Sequence, residues 1–477
     1  MRYILAHDLG TSGNKATLFS EDGRLIKSEV FSYDAHYFND TWVEQNADDW
    51  WNAVCRTSSS LIQSTGVDPG EIGAISFSGQ MMGCLCVDRN GTPLRPSIIW
   101  ADQRAQKQVA QIEEHISQQD FYHIVGHRNT ASYGIQKLMW VRDNEPEIYE
   151  QTYKTLDAKD YIVFKLTGKF YTEPSDANSV ACFDLKTFQW SEEILKITGI
   201  DPDKLPQIKP STFVAGGVTK EAARATGLAE GTPVVMGGGD GVVANIGCGS
   251  ISPGKTYCCM GTSAWITTTA EKPIFDAQMR TVTWAHVIPG MYAPNGTMQY
   301  AGGAYNWLKN SVCSMESYKA KEEGTSPYTY MNEQIEKARW EQTDSSSCHT
   351  CWESAPPAGT QTRKAPGSHQ AGNHQGRFAK KRAGRRHHEP FHLLDILRTQ
   401  MDIKEITGSG GRSKGAVWRQ IMADIYNARI KVPSLLEEGS SMGAAVIGGV
   451  GTGIFKDLPL STDSSILNPY ILRIPRQ

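Results

Sequence analysis

Short apolar runs that end in small residues recur along this 477-residue chain, and they predict buried β-strands followed by turns. The clearest run is Val234–Met236, which is followed by the three glycines Gly237–Gly239 and then by Asp240. Because glycine has no Cβ, such a turn allows the backbone to come very close to a ligand. We therefore expect Asp240 at the mouth of a strand, where open α/β sheets bind ligands.

The carboxylate of Asp240 has two interpretations from this segment alone. It suits a general base that takes a proton from a substrate hydroxyl. It equally suits a residue that caps the following helix, which is common after a glycine turn. The rest of the chain has to decide between them.

The first apolar runs predict a β-hairpin with strands Tyr3–Ala6 and Ala16–Phe19. Thr11 and Ser12 lie in its turn, where small hydroxyl-bearing residues point several donors at one spot, as a phosphate group requires. Asp8 is a candidate to hold Mg²⁺ through water, and Lys15 is a candidate to supply positive charge. An ordinary hairpin turn is the alternative.

Two further strand ends carry polar residues. The predicted strand Ile72–Ser78 leads into Gln80, Met81 and Met82. Ile98 and Ile99 lead into Trp100, Asp102 and Arg104. Asp102 and Arg104 are candidates to hydrogen-bond a polyol, with Trp100 stacked on its carbon face. A surface ion pair of Asp102 with Arg104 is the alternative.

Two segments with helical spacing, Tyr133–Asn144 and Lys159–Ile162, are predicted to contribute to packing rather than to chemistry. Asp176, which follows Pro174 and Ser175, is predicted to lie in a turn and is a candidate to face a cleft.

The strand–turn pattern returns in the second half of the chain. Tyr257–Met260 leads into Gly261, Thr262 and Ser263. Gly408–Ser413, which contains Gly410, Gly411 and Arg412, precedes the predicted helix Ala416–Ile425. Helix N-termini preceded by glycines bind anions and nucleotides well. A small-residue helix follows from Ser440. The duplication predicts two similar domains that hold phosphates between them.

Composition narrows the class of protein. The length predicts two large domains. A net charge of −3 with 21% charged residues argues against a nucleic-acid binder or a membrane-surface protein. Neither a transmembrane run nor a signal peptide is recognisable, so the ten scattered cysteines are expected to be reduced thiols in a cytoplasmic protein.

On these motifs the chain resembles the FGGY family of carbohydrate kinases, and within it the xylulokinases most. Asp8–Ser12 matches the family's first phosphate turn, and Gly237–Gly241 matches the segment with the catalytic aspartate. Gly261–Ser263 and Gly408–Ser413 resemble the phosphate and adenosine segments of the second domain, and Ser132–Asn144 resembles a signature around Lys137 and Trp140.

The resemblance implies an α/β fold with two ribonuclease-H-like domains of the actin, Hsp70 and hexokinase type, separated by a cleft. It implies a sugar-binding domain at 1–238, an ATP-binding domain at 239–455 and a tail at 456–477. The implied reaction, in xylose metabolism, transfers the γ-phosphoryl group of ATP to a terminal hydroxyl of a ketopentose, with D-xylulose favoured. The implied partners are sugar, ATP and Mg²⁺, with no nucleic acid and no membrane, and a homodimer is a candidate assembly.

The resemblance also implies a role for each site residue. Asp240 is the catalytic base, and Asp8 is the residue near Mg²⁺. The implied sugar contacts are Gln80, Met81, Met82, Trp100, Asp102 and Arg104. The implied ATP contacts are Thr11, Ser12, Lys15, Gly261, Thr262, Gly408, Gly410, Gly411 and Arg412.

The chain departs from the family pattern at two positions, and the departure at the predicted sugar site leaves the substrate open. Met82 stands where xylulokinases typically have histidine, and Gly134 stands where the family signature prefers proline, serine or threonine. A kinase of ribulose, gluconate or another polyol therefore stays open. So do a catalytically impaired sugar- or nucleotide-binding relative and an actin- or Hsp70-like ATPase. A Rossmann dehydrogenase is disfavoured, since no G-x-G-x-x-G joins a first strand to a helix.

The segment Ala338–Leu393 has no apolar periodicity and fits no part of this pattern. Between Asp344 and Pro390 it carries eight Lys and Arg residues against three acidic ones. Cys348–Cys351 taken alone indicates a zinc site, and Lys380–Arg386 a nucleic-acid patch. We reject both interpretations in favour of a shifted reading frame.

In the shifted frame, each codon consists of the third base of one residue's codon and the first two bases of the next residue's codon. Read in this frame, Lys337–Gly359 can encode the peptide S-P-V-G-A-N-G-L-I-F-L-P-Y-L-L-G-E-R-A-P-R-W-N. Some of its residues are forced: Cys351 before Trp352 gives only Leu, and Trp352 before Glu353 gives only Gly. The family carries F-L-P-Y-L-L-G-E-R-A-P at this place. We therefore predict a frameshift that is restored near Leu394 and that impairs folding or activity of the chain.

Overall fold

The computed structural model describes residues 1–261, 263–298, 302–337, 388–433, 435, 438–456 and 471–473. The chain forms two compact units. Unit 1 consists of Met1–Pro253, Thr269–Pro294 and Glu438–Pro469, and unit 2 consists of Gly254–Thr268, Asn295–Glu437 and Tyr470–Gln477. Unit 1 is therefore assembled from three separate stretches of the sequence.

The strands are β1 (Tyr3–Leu9), β2 (Gly13–Ser20), β3 (Leu25–Ser32), β4 (His36–Phe38), β5 (Trp42–Gln45), β6 (Ile72–Gly79), β7 (Leu85–Val87), β8 (Ser97–Ile98), β9 (Lys154–Leu156), β10 (Tyr171–Thr172), β11 (Phe183–Asp184), β12 (Gln189–Trp190), β13 (Gln207–Ile208), β14 (Val214–Gly217), β15 (Pro233–Val235), β16 (Gly238–Gly239), β17 (Thr256–Met260), β18 (Ala264–Thr268), β19 (Val282–Ala285), β20 (Tyr292–Met298), β21 (Glu405–Ser409), β22 (Arg429–Pro433) and β23 (Ile471–Arg473).

The helices are α1 (Ala47–Thr65), α2 (Gln106–Glu113), α3 (Gln118–Val125), α4 (Gly134–Asn144), α5 (Pro146–Gln151), α6 (Ala158–Thr167), α7 (Pro174–Ser179), α8 (Glu192–Thr198), α9 (Lys220–Thr226), α10 (Asp240–Gly247), α11 (Gly302–Ser311), α12 (Ser314–Glu322), α13 (Pro327–Lys337), α14 (His388–Arg398), α15 (Ala416–Tyr426) and α16 (Gly439–Gly451). Short 3-10 helices lie at Pro69–Glu71, Pro202–Lys204 and Gly411–Lys414.

The large sheet of unit 1 has the strand order β14-β15-β6-β1-β2-β3, and β16 also pairs with β6. Strands β1, β2 and β3 form an antiparallel meander, whereas β15 and β16 run parallel to β6, and β6 runs parallel to β1. The carboxyl ends of β1, β6 and β16 consequently meet at one edge of the sheet.

Helices α1 and α16 belong to the core of unit 1. The side chain of Asn46 caps α1 by accepting a hydrogen bond from the Asp48 N–H, and the helix buries Trp50 and Leu61. Helix α16 is rich in small residues, so its backbone comes close to its neighbours. A Cβ on Gly443 would lie 2.1 Å from the carbonyl oxygen of Val243 in α10.

The second large sheet contains, in unit 2, the strand order β20-β18-β17-β21-β22-β23. Its central strands belong to unit 2, where β17 and β18 form an antiparallel hairpin and β21 runs parallel to β17. This repeats the arrangement of β1, β2 and β6 in unit 1. The predicted duplication of the strand–turn pattern is confirmed at the level of topology.

The apolar pattern predicted most of these elements. The hairpin β1–β2, strands β6 and β17, and helices α4, α6, α15 and α16 lie where the sequence placed them. The cysteines within the described ranges are unpaired. Among the helices that the structure describes, none is both long and apolar enough to span a membrane.

Candidate active site

Three neighbouring parallel strands deliver the candidate residues to one edge of the first sheet. The register places Asp8 beside Ser78, and Ser78 beside Gly238. Gln80 and Asp240 follow the last residues of β6 and β16, so both leave the sheet at the edge where Asp8 lies. Residues from distant parts of the sequence are thus brought together by strand pairing.

The glycines before Asp240 are required by this packing. Gly237 has a φ of 72°, and a Cβ there would lie 2.0 Å from the carbonyl oxygen of Phe77. The expectation that all three glycines form a turn is wrong, because Gly238 and Gly239 form strand β16. Side chains at these three positions would overlap with Phe77 in β6, with Val287 and with Met81, so only glycines fit there.

The helix-cap interpretation of Asp240 is also wrong. Asp240 is the first residue of α10, and Gly239 occupies the cap position. The Asp240 Oδ1 accepts a hydrogen bond of 2.7 Å from the N–H of Gly241. The carboxylate therefore stands at the positive end of the helix dipole and remains exposed to solvent.

Two carboxylates influence each other at this edge. Protein atoms around Asp240 remove part of its hydration, and together with the negative charge of Asp8 this desolvation raises its pKa to about 7, although the Gly241 N–H opposes the shift. Burial raises the pKa of Asp8 as well, while Lys15 and Ser78 lower it. Asp240 therefore titrates in the range where a general base is most effective.

The predicted phosphate turn lies beside these carboxylates. Lys15 pairs across the hairpin with Asp8 in register, and its ammonium forms a 3.0 Å ion pair with Glu438, just before α16. Ser12 is exposed at the turn, and Thr11 is partly exposed. Glu438 was not predicted, because nothing in its local sequence indicates a partner near the N-terminus of the chain.

The predicted sugar residues are joined to the phosphate turn by hydrogen bonds. The Gln80 amide donates to Gln45 Oε1 at 2.7 Å, and the Gln45 amide donates to the Thr11 carbonyl oxygen at 2.7 Å. The Trp100 indole N–H donates to Thr11 Oγ1 at 2.8 Å, and 39% of Trp100 is exposed. Gln80 and Trp100 therefore flank the turn that contains Thr11.

Asp102 and Arg104 form an ion pair, but the expected surface location is wrong. Asp102 has no exposed surface, and its Oδ2 accepts from the Arg104 Nη2 at 2.7 Å and from the Val43 N–H at 2.6 Å. The guanidinium also pairs with Glu44 at 2.7 Å and lies 4.0 Å from the ring centre of Trp42. This buried pair fixes the segment that follows Trp100.

Met81 and Met82 form a loop against the glycines before Asp240. A Cβ on Gly239 would lie 2.6 Å from the Met81 sulfur, so Met81 packs directly on that strand. Met82 has a φ of 64°, a left-handed conformation that is uncommon for a side chain of this size.

Lys137 joins the loop that contains Met82 to the segment Ile99–Trp100, the two predicted sugar loops. Its buried ammonium donates to the carbonyl oxygens of Met82 at 2.7 Å, Ile99 at 2.8 Å and Ser132 at 2.6 Å. Burial lowers the pKa of Lys137 to about 8, although the charge of Asp102 opposes this. The helical spacing of this segment predicted packing and gave no sign that its lysine holds both loops.

In unit 2, two of the predicted ATP segments are adjacent. Gly261 lies in the turn between β17 and β18, and Gly408 pairs with Cys258 across β17 and β21. Gly410 has a φ of 83°, and a Cβ there would lie 2.8 Å from the carbonyl oxygen of Met260. Gly411 and Arg412 begin the 3-10 helix, whereas Thr262 lies outside the described residues.

Comparison with known proteins identifies the family. The model of the N-terminal domain of the FGGY family of carbohydrate kinases matches residues 3–247, and the model of its C-terminal domain matches residues 385–452. A gluconokinase from Bacillus licheniformis is 29% identical over 476 residues, covering 97% of this chain and 90% of the relative. A xylulose kinase from Staphylococcus epidermidis is 29% identical over 468 residues, with 97% and 90% covered.

Solved structures share the fold. The xylulose kinase from Rhodospirillum rubrum matches with a TM-score of 0.85 at 23% identity, covering 99% of this chain and 93% of that one. The gluconate kinase from Lactobacillus acidophilus matches with a TM-score of 0.83 at 23% identity, again with 99% and 93% covered.

The fold and the matches define a two-domain sugar kinase with the architecture of actin and hexokinase. The chain belongs to the FGGY family of carbohydrate kinases. The segment 338–387, on which the frameshift hypothesis rests, lies outside the described residues, and the hypothesis stays a prediction.

Proposed function

We propose that this sugar kinase transfers the γ-phosphoryl group of ATP to the terminal hydroxyl of a ketopentose, with D-xylulose as the substrate. The observation that carries the proposal is the Asp240 carboxylate, which is held at the end of β16 beside Met81 and has its pKa raised to about 7. About half of such carboxylates are ionised at neutral pH, and each ionised one can accept a hydroxyl proton.

The residues at this edge fit a magnesium–nucleotide complex. Asp8 and Asp240 repel each other, and a divalent cation with oxygen ligands relieves such repulsion. When bound, ATP supplies the phosphoryl group and Mg²⁺ offsets the charge of its phosphates. The hydroxyls of Thr11 and Ser12 and the ammonium of Lys15 are the proposed phosphate donors of unit 1.

We propose that sugar binding and ATP binding belong to successive parts of the sequence. We assign sugar binding to residues 1–238 and ATP binding to residues 239–455, followed by the tail 456–477. The proposed nucleotide contacts in the second part are Gly261, Thr262, Gly408, Gly410, Gly411 and Arg412. The proposed sugar contacts are Gln80, Met81, Met82 and Trp100. Asp102 and Arg104, which the sequence also offers as sugar contacts, are buried and bonded to protein groups, so we propose that they hold the segment after Trp100.

The charges near the sugar loops favour a neutral sugar over gluconate. Gluconate carries a carboxylate, which calls for a free cation in the site. Arg104 is paired with Asp102 and Glu44, and the ammonium of Lys137 is bonded to three carbonyl oxygens. Both of these cations are thus committed to protein acceptors.

A coupled assay of ADP release tests the proposal with D-xylulose, D-ribulose, D-gluconate and no sugar. We expect the highest kcat/KM with D-xylulose, and we expect Asp240→Asn to lower kcat by about 10³-fold. The control is Asp424→Asn, which changes an exposed carboxylate on α15 and should leave kcat unchanged. Preference for gluconate would overturn the substrate assignment, and ATP turnover independent of sugar would overturn the kinase mechanism.

A further inference from the structure

Helix α7 carries a buried serine that contacts the backbone of the segment leading to Asp240. The hydroxyl of Ser175 accepts a 2.8 Å hydrogen bond from the N–H of Gly239, the residue immediately before Asp240. Ser175 has no exposed surface. This contact joins a helix near residue 175 to the position where the candidate base leaves the sheet.

Glu173 holds this serine and a second one on the other side of the glycines. Its carboxylate accepts from the Ser175 hydroxyl at 2.5 Å and from the Ser211 hydroxyl at 2.7 Å. The carbonyl oxygen of Ser211 in turn accepts from the Gly237 N–H at 3.0 Å. One buried carboxylate therefore supports both ends of the three-glycine segment.

The other end of α7 supports the sugar loop. The hydroxyl of Ser179 accepts a 2.9 Å hydrogen bond from the N–H of Met82. Asp157, which precedes α6, accepts from the neighbouring Gly83 N–H at 2.5 Å. A single short helix thus contacts the backbone on the two sides of the proposed reaction, at Gly239 and at Met82.

The buried Lys159 stabilises the negative charges of three carboxylates in and next to α6 and α7. The ammonium of Lys159 lies 2.6 Å from Asp160, 3.0 Å from Asp176 and 3.6 Å from Glu173. Burial favours the neutral amine, but these carboxylates outweigh it and hold the pKa of Lys159 well above its usual value. The expectation that Asp176 faces a cleft is wrong, because it is fully buried in α7 beside Lys159.

We propose that Ser175 is a positioning residue for Asp240, and that α7 sets the place of the Asp240 carboxylate relative to the sugar loop through Ser175 at one end and Ser179 at the other. This inference rests on the proposed function. Phosphoryl transfer depends mainly on positioning, so a displaced base lowers the rate more than it lowers affinity. Ser175 therefore acts on kcat, and Ser179 acts on the binding of sugar.

The test compares Ser175→Ala, Ser179→Ala and a matched control, Ser191→Ala, in the full chain. Ser191 is also a buried serine whose hydroxyl accepts a backbone N–H, that of Ile194, where it caps α8. We expect Ser175→Ala to lower kcat by about 10- to 100-fold with the sugar KM changed less than about twofold. We expect Ser179→Ala mainly to raise the sugar KM, and Ser191→Ala to change neither.

Hydrogen exchange provides a readout that does not depend on activity. In Ser175→Ala the amide of Gly239 loses its acceptor, and its exchange should be at least about tenfold faster than in the wild-type chain or in Ser191→Ala. Equal kcat and equal exchange in Ser175→Ala and Ser191→Ala would overturn the inference. Absence of sugar-dependent ADP release from the wild-type chain would instead count against the proposed function, and the exchange rates would still decide whether Ser175 holds Gly239.

Discussion

At Asp240 the requirements of the proposed catalytic role and of folding oppose each other. The environment that raises the pKa of this carboxyl to about 7 makes it an effective base near neutral pH. The same environment makes the ionised form unfavourable in the folded state. In the proposed mechanism, activity is therefore obtained at a cost in stability, as is common for residues at active sites.

This cost should appear as a pH dependence of stability. The pKa of Asp240 in the folded state lies above its ordinary value of 3.8, so folding favours the protonated form. The stabilisation is complete below about pH 4 and is lost as the pH rises through about 7. In urea unfolding, Asp240→Asn should therefore match the wild-type chain at pH 4 and be the more stable of the two at pH 8.

The exposed Asp424 supplies the control for that measurement. Asp424→Asn, which removes an exposed carboxylate from α15, is measured beside Asp240→Asn as the matched control. A constant difference between Asp240→Asn and the wild-type chain from pH 4 to pH 8 would show that the Asp240 environment does not disfavour its charge.

Among the secondary-structure elements, the two-residue strand β16 has a strict steric requirement. Its approach to β6 depends on Gly237, where the left-handed backbone and the nearby Phe77 carbonyl both exclude a side chain. Gly231 has a similar backbone, with a φ of 84°, but no atom lies within 4 Å of the position of its Cβ. A comparison of substitutions at Gly231 and Gly237 therefore distinguishes the cost of the left-handed backbone from the cost of steric overlap.

Gly237→Ala should consequently be far more damaging than Gly231→Ala. The left-handed conformation alone costs about 1 kcal/mol for alanine, whereas the overlap at Gly237 adds at least about 2 kcal/mol and displaces β16. Urea unfolding measures the stability, and the coupled assay should show loss of kcat only in Gly237→Ala. Equal effects of the two substitutions would mean that β16 does not pack against β6 as described.

Helix α4 has a comparable role through Lys137. Lys137→Met removes the donor for three buried carbonyl oxygens and should lower the free energy of unfolding by about 3 kcal/mol. It should also raise the sugar KM, because two of these carbonyls belong to the loops with Met82 and Trp100. Lys107→Met, on the exposed face of α2, should change neither quantity. An unchanged sugar KM in Lys137→Met would show that Lys137 does not position the loops with Met82 and Trp100 for sugar binding.

The sequence predicted elements more completely than the contacts between them. Strands β1, β2 and β6 were predictable because apolar runs bounded by glycines have a local signature. The position of Asp240 at a strand end followed from the same rule. The roles of Ser175, Lys137 and Glu438 had no such signature, since each side chain acts on a segment that is distant in the sequence. Only pairing and packing bring those partners together.

At the scale of the whole molecule, the frameshift hypothesis predicts that the segment 338–393 determines whether the sequence as written gives an active enzyme. The relatives align over nearly the full chain, and the C-terminal family match begins at residue 385. If the shifted frame is real, a core part of unit 2 has been replaced by a polar sequence. A domain has only a few kcal/mol of net stability with which to tolerate such a loss.

A chain with the frame-repaired sequence in place of 338–393 should therefore be more stable and more active than the present one. We expect a melting temperature higher by at least about 5 °C and a kcat with D-xylulose at least about tenfold higher. The nucleotide sequence provides an independent check. Codons at 338–359 that cannot encode the alternative peptide would end the frameshift hypothesis.

The place of α16 in unit 1 has a consequence for synthesis of the protein. Gly448 of this helix lies against Ser76 and Ile4, so α16 covers strands that precede it by several hundred residues in the sequence. During translation α16 emerges only after all the residues between these strands and Gly439 have been made. Until then an apolar face of the sheet is exposed on the nascent chain, and we expect molecular chaperones to bind it.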